Sequence, residues 1–325
     1  MAKQSPGAVR LLVLNGVLSR DAAARAAVGR AWDLRYTNSQ EMLDWARLAV
    51  EVAESPDVRS LSHAHLGNAC RVAGRFTEAR QQLDLAGQFQ KQPDSLLLEF
   101  RASLLENTGV FEQALACLRT AGRLRAADGD VNGQAKILAK KGVVLTESGH
   151  HPEAAQTYRE ALELVQCDPD VGRAAIHGLA HTLARSGQPH RALAVLREGR
   201  PLLDQGDILF QLRVTWLFGR IAMVCGDDLL ALDSLEAAHQ GFAREGLLFE
   251  TCLTALDLAV HHARTGRPMV AHQILDPVPE LLFQLGVSAD AEIAATVRSL
   301  VEGEITQALV HLDRLMSSVE NRPRH

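Results

Sequence analysis

The sequence predicts an all-α chain that uses one helical hairpin again and again, and three observations carry that prediction. The composition is 47% hydrophobic, 22% charged and 4% aromatic, rich in Ala and Leu and poor in the β-branched and aromatic residues that strands favour. Glycines recur at Gly74, Gly109, Gly149, Gly187, Gly226 and Gly266, 35 to 40 residues apart, with Gly303 as a looser match. Around each of them, small and large apolar side chains keep fixed offsets.

Those offsets define the hairpin. Seven residues before the glycine the chain is small, at Gly67, Ala102, Gly142, Ala180, Gly219 and Ala259. Five residues after it stands alanine, at Ala79, Ala114, Ala154, Ala192, Ala231, Ala271 and Ala308, and four further on a large residue, such as Leu83, Tyr158 or Leu235. Small followed by large at i, i+4 is one helix face. The small residue lets a neighbouring helix approach, and the large one fills the groove beside it. Glycine between two such faces is the left-handed stop that turns the chain. Helix starts repeat too: Asp57, Asp94, Asp130, Asp170 and Asp207 each follow a Pro or Gly and are expected to cap the next helix.

Taken in order, residues 1–20 are expected to form an N-terminal extension or short helix. A degenerate hairpin follows, with Trp32 on its first helix and Ala46, Val50 and Ala53 at second-helix offsets. Seven clear hairpins then run over residues 58–318. The expected division is one domain over 21–318 with a flexible tail at 319–325. In the final hairpin the groove register would fall on Ile293, Val297 and Leu300, and a one-residue deletion before Ala308 is expected to turn these apolar residues inward.

The pattern Gly67, Gly74, Phe76, Ala79, Leu83, Ala86, repeated as Gly142, Gly149, Ala154, Tyr158, Ala161, resembles the tetratricopeptide repeat (TPR). The resemblance implies a right-handed superhelical solenoid of about seven to eight hairpins, its concave face built by the first helices. It also implies which first-helix positions line the groove. The hairpin at Gly109 then contributes Leu96, Glu99, Ser103, Glu106 and Asn107, an acidic stripe. The hairpin at Gly149 contributes a mixed set that includes Lys136, with Lys140 alongside. Beyond these come His177, His181 and Arg185, then Arg213, Trp216 and Arg220, then Leu256, Val260 and Arg264, with no acidic residue at the groove positions of these last three hairpins. Some proteins of this family hold chaperone C-termini in a Lys/Asn/Asn/Lys/Arg clamp. The matching positions here are Ala64, Asn68, Phe100, Lys136 and Lys140, so Ala64 and Phe100 depart from it.

The remaining signals are mostly exclusions. The net charge of -5 gives no global reason to bind nucleic acid directly. Five widely spaced cysteines without a CxxC pair fit buried thiols in a reducing cytoplasm. With 29 arginines among 34 basic residues, the composition points to a bacterial, GC-rich source. The run Leu11-Leu12-Val13-Leu14 is too short for a signal peptide, and no run reaches bilayer-spanning length. There is no P-loop, GxGxxG or GxSxG motif. His177 and His181 stand four apart, a spacing that suits a metal, but no HExxH glutamate follows His177.

The expected function is therefore a non-catalytic scaffold without cofactor, binding in its groove a protein or peptide segment that carries acidic and apolar residues. Arg supplies a planar fork for carboxylates and Trp supplies contact area. One alternative is a peptide-sensing regulator of a separate effector or transcription protein. A second is a metal-dependent enzyme centred on His177 and His181.

Overall fold

The structure is a computed structural model that describes residues 5–35, 38–165, 168–284 and 294–295. Among the described residues there are sixteen α-helices and no strand. The chain divides into two compact units, one up to Val144 and one from Leu145. Unit 1 opens with α1 (Pro6–Leu14), followed by the hairpins α2 (Arg20–Asp33) with α3 (Ser39–Val52), α4 (Pro56–Val72) with α5 (Phe76–Gln88), and α6 (Ser95–Asn107) with α7 (Phe111–Ala127). Helix α8 (Val131–Glu147) contributes all but its last turn to this unit. Unit 2 contains α9 (His151–Leu164), which packs on α10 (Pro169–Arg185). Its hairpins are α10 with α11 (Pro189–Leu203), α12 (Ile208–Cys225) with α13 (Asp228–Arg244), and α14 (Leu248–Arg264) with α15 (Pro268–Leu275); α16 (Val278–Gln284) follows. First helices also touch first helices: α2 meets α4, α4 meets α6, and α12 meets both α10 and α14.

The sterics follow the sequence offsets. All six anchoring glycines turn the chain with φ between 73° and 81°, a region open to glycine without a Cβ clash. At Gly67 an added Cβ would lie 2.7 Å from Leu83 Cγ, and at Gly219 it would lie 2.9 Å from Leu235 Cγ. At both positions the small residue of the first helix thus receives the large residue of its own second helix. Ala231 is fully buried and Gly142 is buried as well. Gly303 and the apolar residues Ile293, Val297 and Leu300 of the last hairpin lie outside the described residues.

Two of the expected caps shift. Asp94 caps α6 by accepting from the Leu96 amide at 2.7 Å, and Asp207 caps α12 by accepting from Phe210 at 2.8 Å. Asp130 accepts from Gly133 at the start of α8. At α4 and α10, however, the proline occupies the first helical turn rather than ending the previous helix, since its fixed φ suits that place and its missing N–H costs nothing there. The cap position moves ahead of it, to Ser55 and Asp168, and Asp57 and Asp170 lie inside the first turn. Helix α12 corrects a second expectation: its 18 residues have a mean hydropathy of 1.4, long and apolar enough by composition to cross a bilayer. In the structure it pairs with α13 and carries two ion-paired arginines, described below.

Candidate functional site

The first helices of unit 1 carry a stripe with one residue from each: Trp32 on α2, His65 on α4, Phe100 on α6 and Lys136 on α8, spaced 33 to 36 residues apart. They meet in space. The His65 ring stands edge-on to Trp32 at 5.8 Å and to Phe100 at 5.2 Å between centroids. Trp32 and Phe100 are 6.1 Å apart, and Lys136 Nζ lies 5.9 Å from the Trp32 ring. The Arg35 guanidinium stacks on the same indole at 4.3 Å. Phe100 and His65 are buried, whereas Trp32 and Lys136 are only half-buried. Burial in this aromatic setting pulls the His65 imidazole down to about 4, because the charged ring would lose its hydration. Its Nδ1 is buried without a hydrogen-bond partner.

Beside the stripe sits Glu99, which was expected to line the groove and is instead 1% exposed. Three cations reach it: Arg125 at 3.1 Å on Oε1, and Lys136 at 3.1 Å and Lys140 at 3.6 Å on Oε2. Burial would raise this carboxyl, but Lys140, Lys136 and Arg125 outweigh it and hold the group below the usual carboxylate range. Lys140 has the converse problem. Burial pulls its ammonium down to about 8, and Lys136 and Arg71 add to that against the opposing pull of Glu99 and Glu106. Arg71 bridges Asn68, at 3.0 Å, and Asn107, at 2.8 Å, and so ties α4 to α6. Of the five clamp positions, Asn68 and Phe100 are thus committed to internal contacts, and Lys136 and Lys140 converge on an internal acid.

The first helices of unit 2 are arranged differently. Arg213 pairs with Glu250 at 3.6 Å and Arg220 with Asp257 at 3.5 Å, each linking α12 to α14. Trp216 donates its indole N–H to the same Asp257 carboxylate at 2.6 Å and packs edge-on to Phe242. Asp257 is fully buried. Arg185 pairs with Glu147 at 2.9 Å, and Arg264 with Asp228 at 2.9 Å. The expected uncompensated arginine patch is therefore a set of matched pairs, and the acids that match it stand about one repeat away in sequence. Leu256 and Val260 correct the sequence reading in another way: both are fully buried core residues, because α14 is enclosed on nearly every side and has no free stripe at that height.

His177 and His181 are half-buried on α10, with His177 tilted against Phe210 at 6.0 Å. Among the described residues no group of three His, Cys, Asp or Glu side chains gathers at metal-binding spacing. The residues that sequence reasoning passed over are His65, Arg35, Arg71 and Arg125. A signal for the first was present, since His65 falls one repeat after Trp32 and one before Phe100.

Stacked hairpins with small-residue contacts and polar first-helix faces define the class: the chain has a TPR-type helical repeat fold. Solved structures agree with that fold. A Rap protein complexed with competence and sporulation factor superposes with a TM-score of 0.62 over 93% of this chain and 96% of its own, at 12% identity. Aspartyl phosphate phosphatase F from Bacillus subtilis gives 0.63 over 84% and 76%, at 9% identity. NprR in complex with its cognate peptide NprX gives 0.58 over 90% and 88%, at 13% identity. No family model and no curated protein matches the sequence.

Proposed function

We propose that the protein is a non-catalytic TPR solenoid that binds an extended or helical segment of a peptide or protein on its first helices and thereby regulates a partner. The observation that carries this reading is the first-helix face of unit 1, where a half-buried Trp32 has the Arg35 guanidinium at 4.3 Å and the Lys136 ammonium at 5.9 Å from its ring. A rigid aromatic flanked by cations is what recognition of a segment with apolar and acidic side chains requires. Two of the structurally similar proteins are described in complex with a factor or a cognate peptide, which favours a peptide-responsive regulator over a passive adaptor. In this reading the solenoid is one working domain of a bacterial cytoplasmic protein. Arg213, Trp216 and Arg220 hold the scaffold, and no nucleic acid or membrane is engaged directly.

The test is capture from a peptide library by the immobilised full-length protein and by Trp32→Ala, with circular dichroism confirming that both are helical. Wild type is expected to retain a set rich in acidic and apolar residues, and Trp32→Ala to lose most of it. An identical set from both proteins would remove unit 1 from the proposal.

A further inference from the structure

Unit 2 carries an apolar patch on an edge that the proposed binding face does not use. Three residues after the turn glycine, the earlier hairpins place Thr77, Glu112, Pro152 and His190, none of them large and apolar. At the same position α13 and α15 place Leu229 and Met269, which are 80% and 72% exposed. Val224, in the last turn of α12 and beside the first of these two turns, is 67% exposed. The two turns adjoin, because Arg264 near the end of α14 donates to Asp228 at the start of α13 at 2.9 Å. Leu229 and Met269 thus belong to neighbouring hairpins that a neutral ion pair holds together. Covering such side chains releases the water around them, and exposed apolar residues in a group mark a contact surface.

The charges around the patch identify what covers it. Directly after the turn glycine stands Asp227 in one hairpin and Arg267 in the next, the same position with opposite sign. Asp227 is fixed by the Leu230 amide at 3.3 Å and Arg267 by Thr265 Oγ1 at 3.1 Å, so both charges are held at this edge. A two-fold axis between the turns exchanges them. It sets Asp227 opposite the Arg267 of a second copy, and Leu229 opposite its Met269. An isologous dimer requires a surface that is complementary to itself in this way. We infer that this edge of unit 2 is a self-association face, on which a second copy docks with Leu229 against Met269 and Asp227 against Arg267. The inference is independent of the peptide-binding reading above, which places recognition on the first helices of unit 1. A face built from so few side chains makes a weak, concentration-dependent dimer, not an obligate one.

The experiment is sedimentation velocity on the full chain at low salt, over about a hundredfold range of concentration up to about 200 μM. Wild type is expected to pass from monomer towards dimer within that range. Leu229→Glu/Met269→Glu is expected to stay monomeric throughout. Its circular dichroism is expected to match wild type, because both positions are exposed and glutamate suits the first turn of a helix. Arg267→Glu sets two acids opposite each other and is expected to raise the dissociation constant about tenfold. Asp227→Asn keeps the α13 cap and loses only the charge, so it is expected to weaken the dimer severalfold, and added salt to narrow that difference. A wild type that is monomeric at every concentration overturns the inference and leaves the patch to a different protein. A dimer that persists unchanged in Leu229→Glu/Met269→Glu also overturns it, since that dimer uses another surface. A dimer indifferent to Arg267→Glu overturns the two-fold arrangement.

Discussion

In unit 1 three cations, Lys136 and Lys140 on the first helix α8 and Arg125 on the second helix α7, share one carboxylate, Glu99, while on the first helices of unit 2 Arg213 and Arg220 each have a carboxylate of their own. The spacing is the same in both places. Glu99 to Lys136, Arg213 to Glu250 and Arg220 to Asp257 are all 37 residues apart, and the Arg71–Asn107 and Thr146–Thr182 hydrogen bonds span 36. One repeat in sequence is thus one rung in space, and a polar residue on a first helix meets its counterpart on the next. The difference lies in stoichiometry. A matched rung fastens two helices and leaves little charge to recruit a ligand, whereas an over-supplied rung both fastens and attracts. On the proposed reading, the rungs of unit 2 serve the scaffold and those of unit 1 serve recognition.

The sharpest way to break this comparison is to remove a matched rung from its buried side. Asp257→Ala removes the fully buried carboxylate that accepts the Trp216 N–H and faces Arg220. Leaving a buried partner uncompensated costs about 3–5 kcal/mol, and urea unfolding followed by circular dichroism is expected to show a loss of that order. Asp257→Asn keeps an acceptor for the indole and loses only the charge, so it is expected to fall between wild type and Ala. A loss under about 1 kcal/mol for Asp257→Ala would mean that the rung does not fasten α12 to α14.

Acid separates the units by a different route. Burial lowers His65 in unit 1 to about 4, and it lowers His151, His239, His261 and His262 in unit 2. A histidine lowered by folding leaves stability unaffected above its unfolded value of 6.5. Below that pH the unfolded chain takes up protons that the folded chain refuses, so stability falls until the folded value is passed. For His65 the interval from 6.5 to about 4 corresponds to about 3 kcal/mol at most. Thermal melts are expected to fall steadily from pH 7 to pH 4.5 in wild type, and by less in His65→Phe, which keeps the contacts with Trp32 and Phe100. Equal slopes for the two proteins would show that His65 is not held neutral in the fold.

The fold was legible in the sequence because its rule is steric and local. A glycine stop and a small residue opposite a large one are printed at constant offsets, and Gly67 against Leu83 and Gly219 against Leu235 meet as those offsets imply. The site was legible only in part. Lys136, Lys140, Arg213, Trp216 and Arg220 do lie on first helices, yet the sequence reading took the arginines for free cations, because it compared positions within a hairpin. The acids that match them, Glu250 and Asp257, lie on the next first helix and off the positions that a simple repeat register marks. Leu256 and Val260 were misplaced for a related reason: a register tells which side of a helix faces the groove, but how many neighbours cover that side depends on tertiary packing. The Ser55 and Asp168 caps were missed because Pro56 and Pro169 were taken as stops, when proline is equally suited to a first helical turn.

The steric rule gives the next smaller effect and should be indifferent to the division between units. Gly219→Ala would place a methyl 2.9 Å from Leu235 Cγ and 3.1 Å from the Leu235 amide nitrogen, and Gly67→Ala would place one 2.7 Å from Leu83 Cγ and 3.1 Å from the Ala79 carbonyl. Alanine is the better helix former by about 1 kcal/mol, but crowding against backbone cannot be relieved by a rotamer change. Overpacking of this kind costs about 1–3 kcal/mol, so a small net loss is expected at both sites in denaturant melts. A gain at either would mean that the helices can move apart there and that close approach is not what the small residue secures.

The smallest effect is expected at a rung that lies in the open. Arg264 and Asp228 form a 2.9 Å pair between α14 and the first turn of α13, with side chains 31% and 52% exposed. Exposed pairs contribute about 0–1 kcal/mol because water and salt compete for both charges. Asp228 also keeps a favourable place near the α13 N-terminus whether or not Arg264 is present. Arg264→Gln is thus expected to change the urea midpoint by an amount close to error, and to do so equally in low and moderate salt. A loss approaching that of Asp257→Ala would mean that rung strength does not follow burial, and the distinction drawn between fastening and attracting rungs would lose its physical basis.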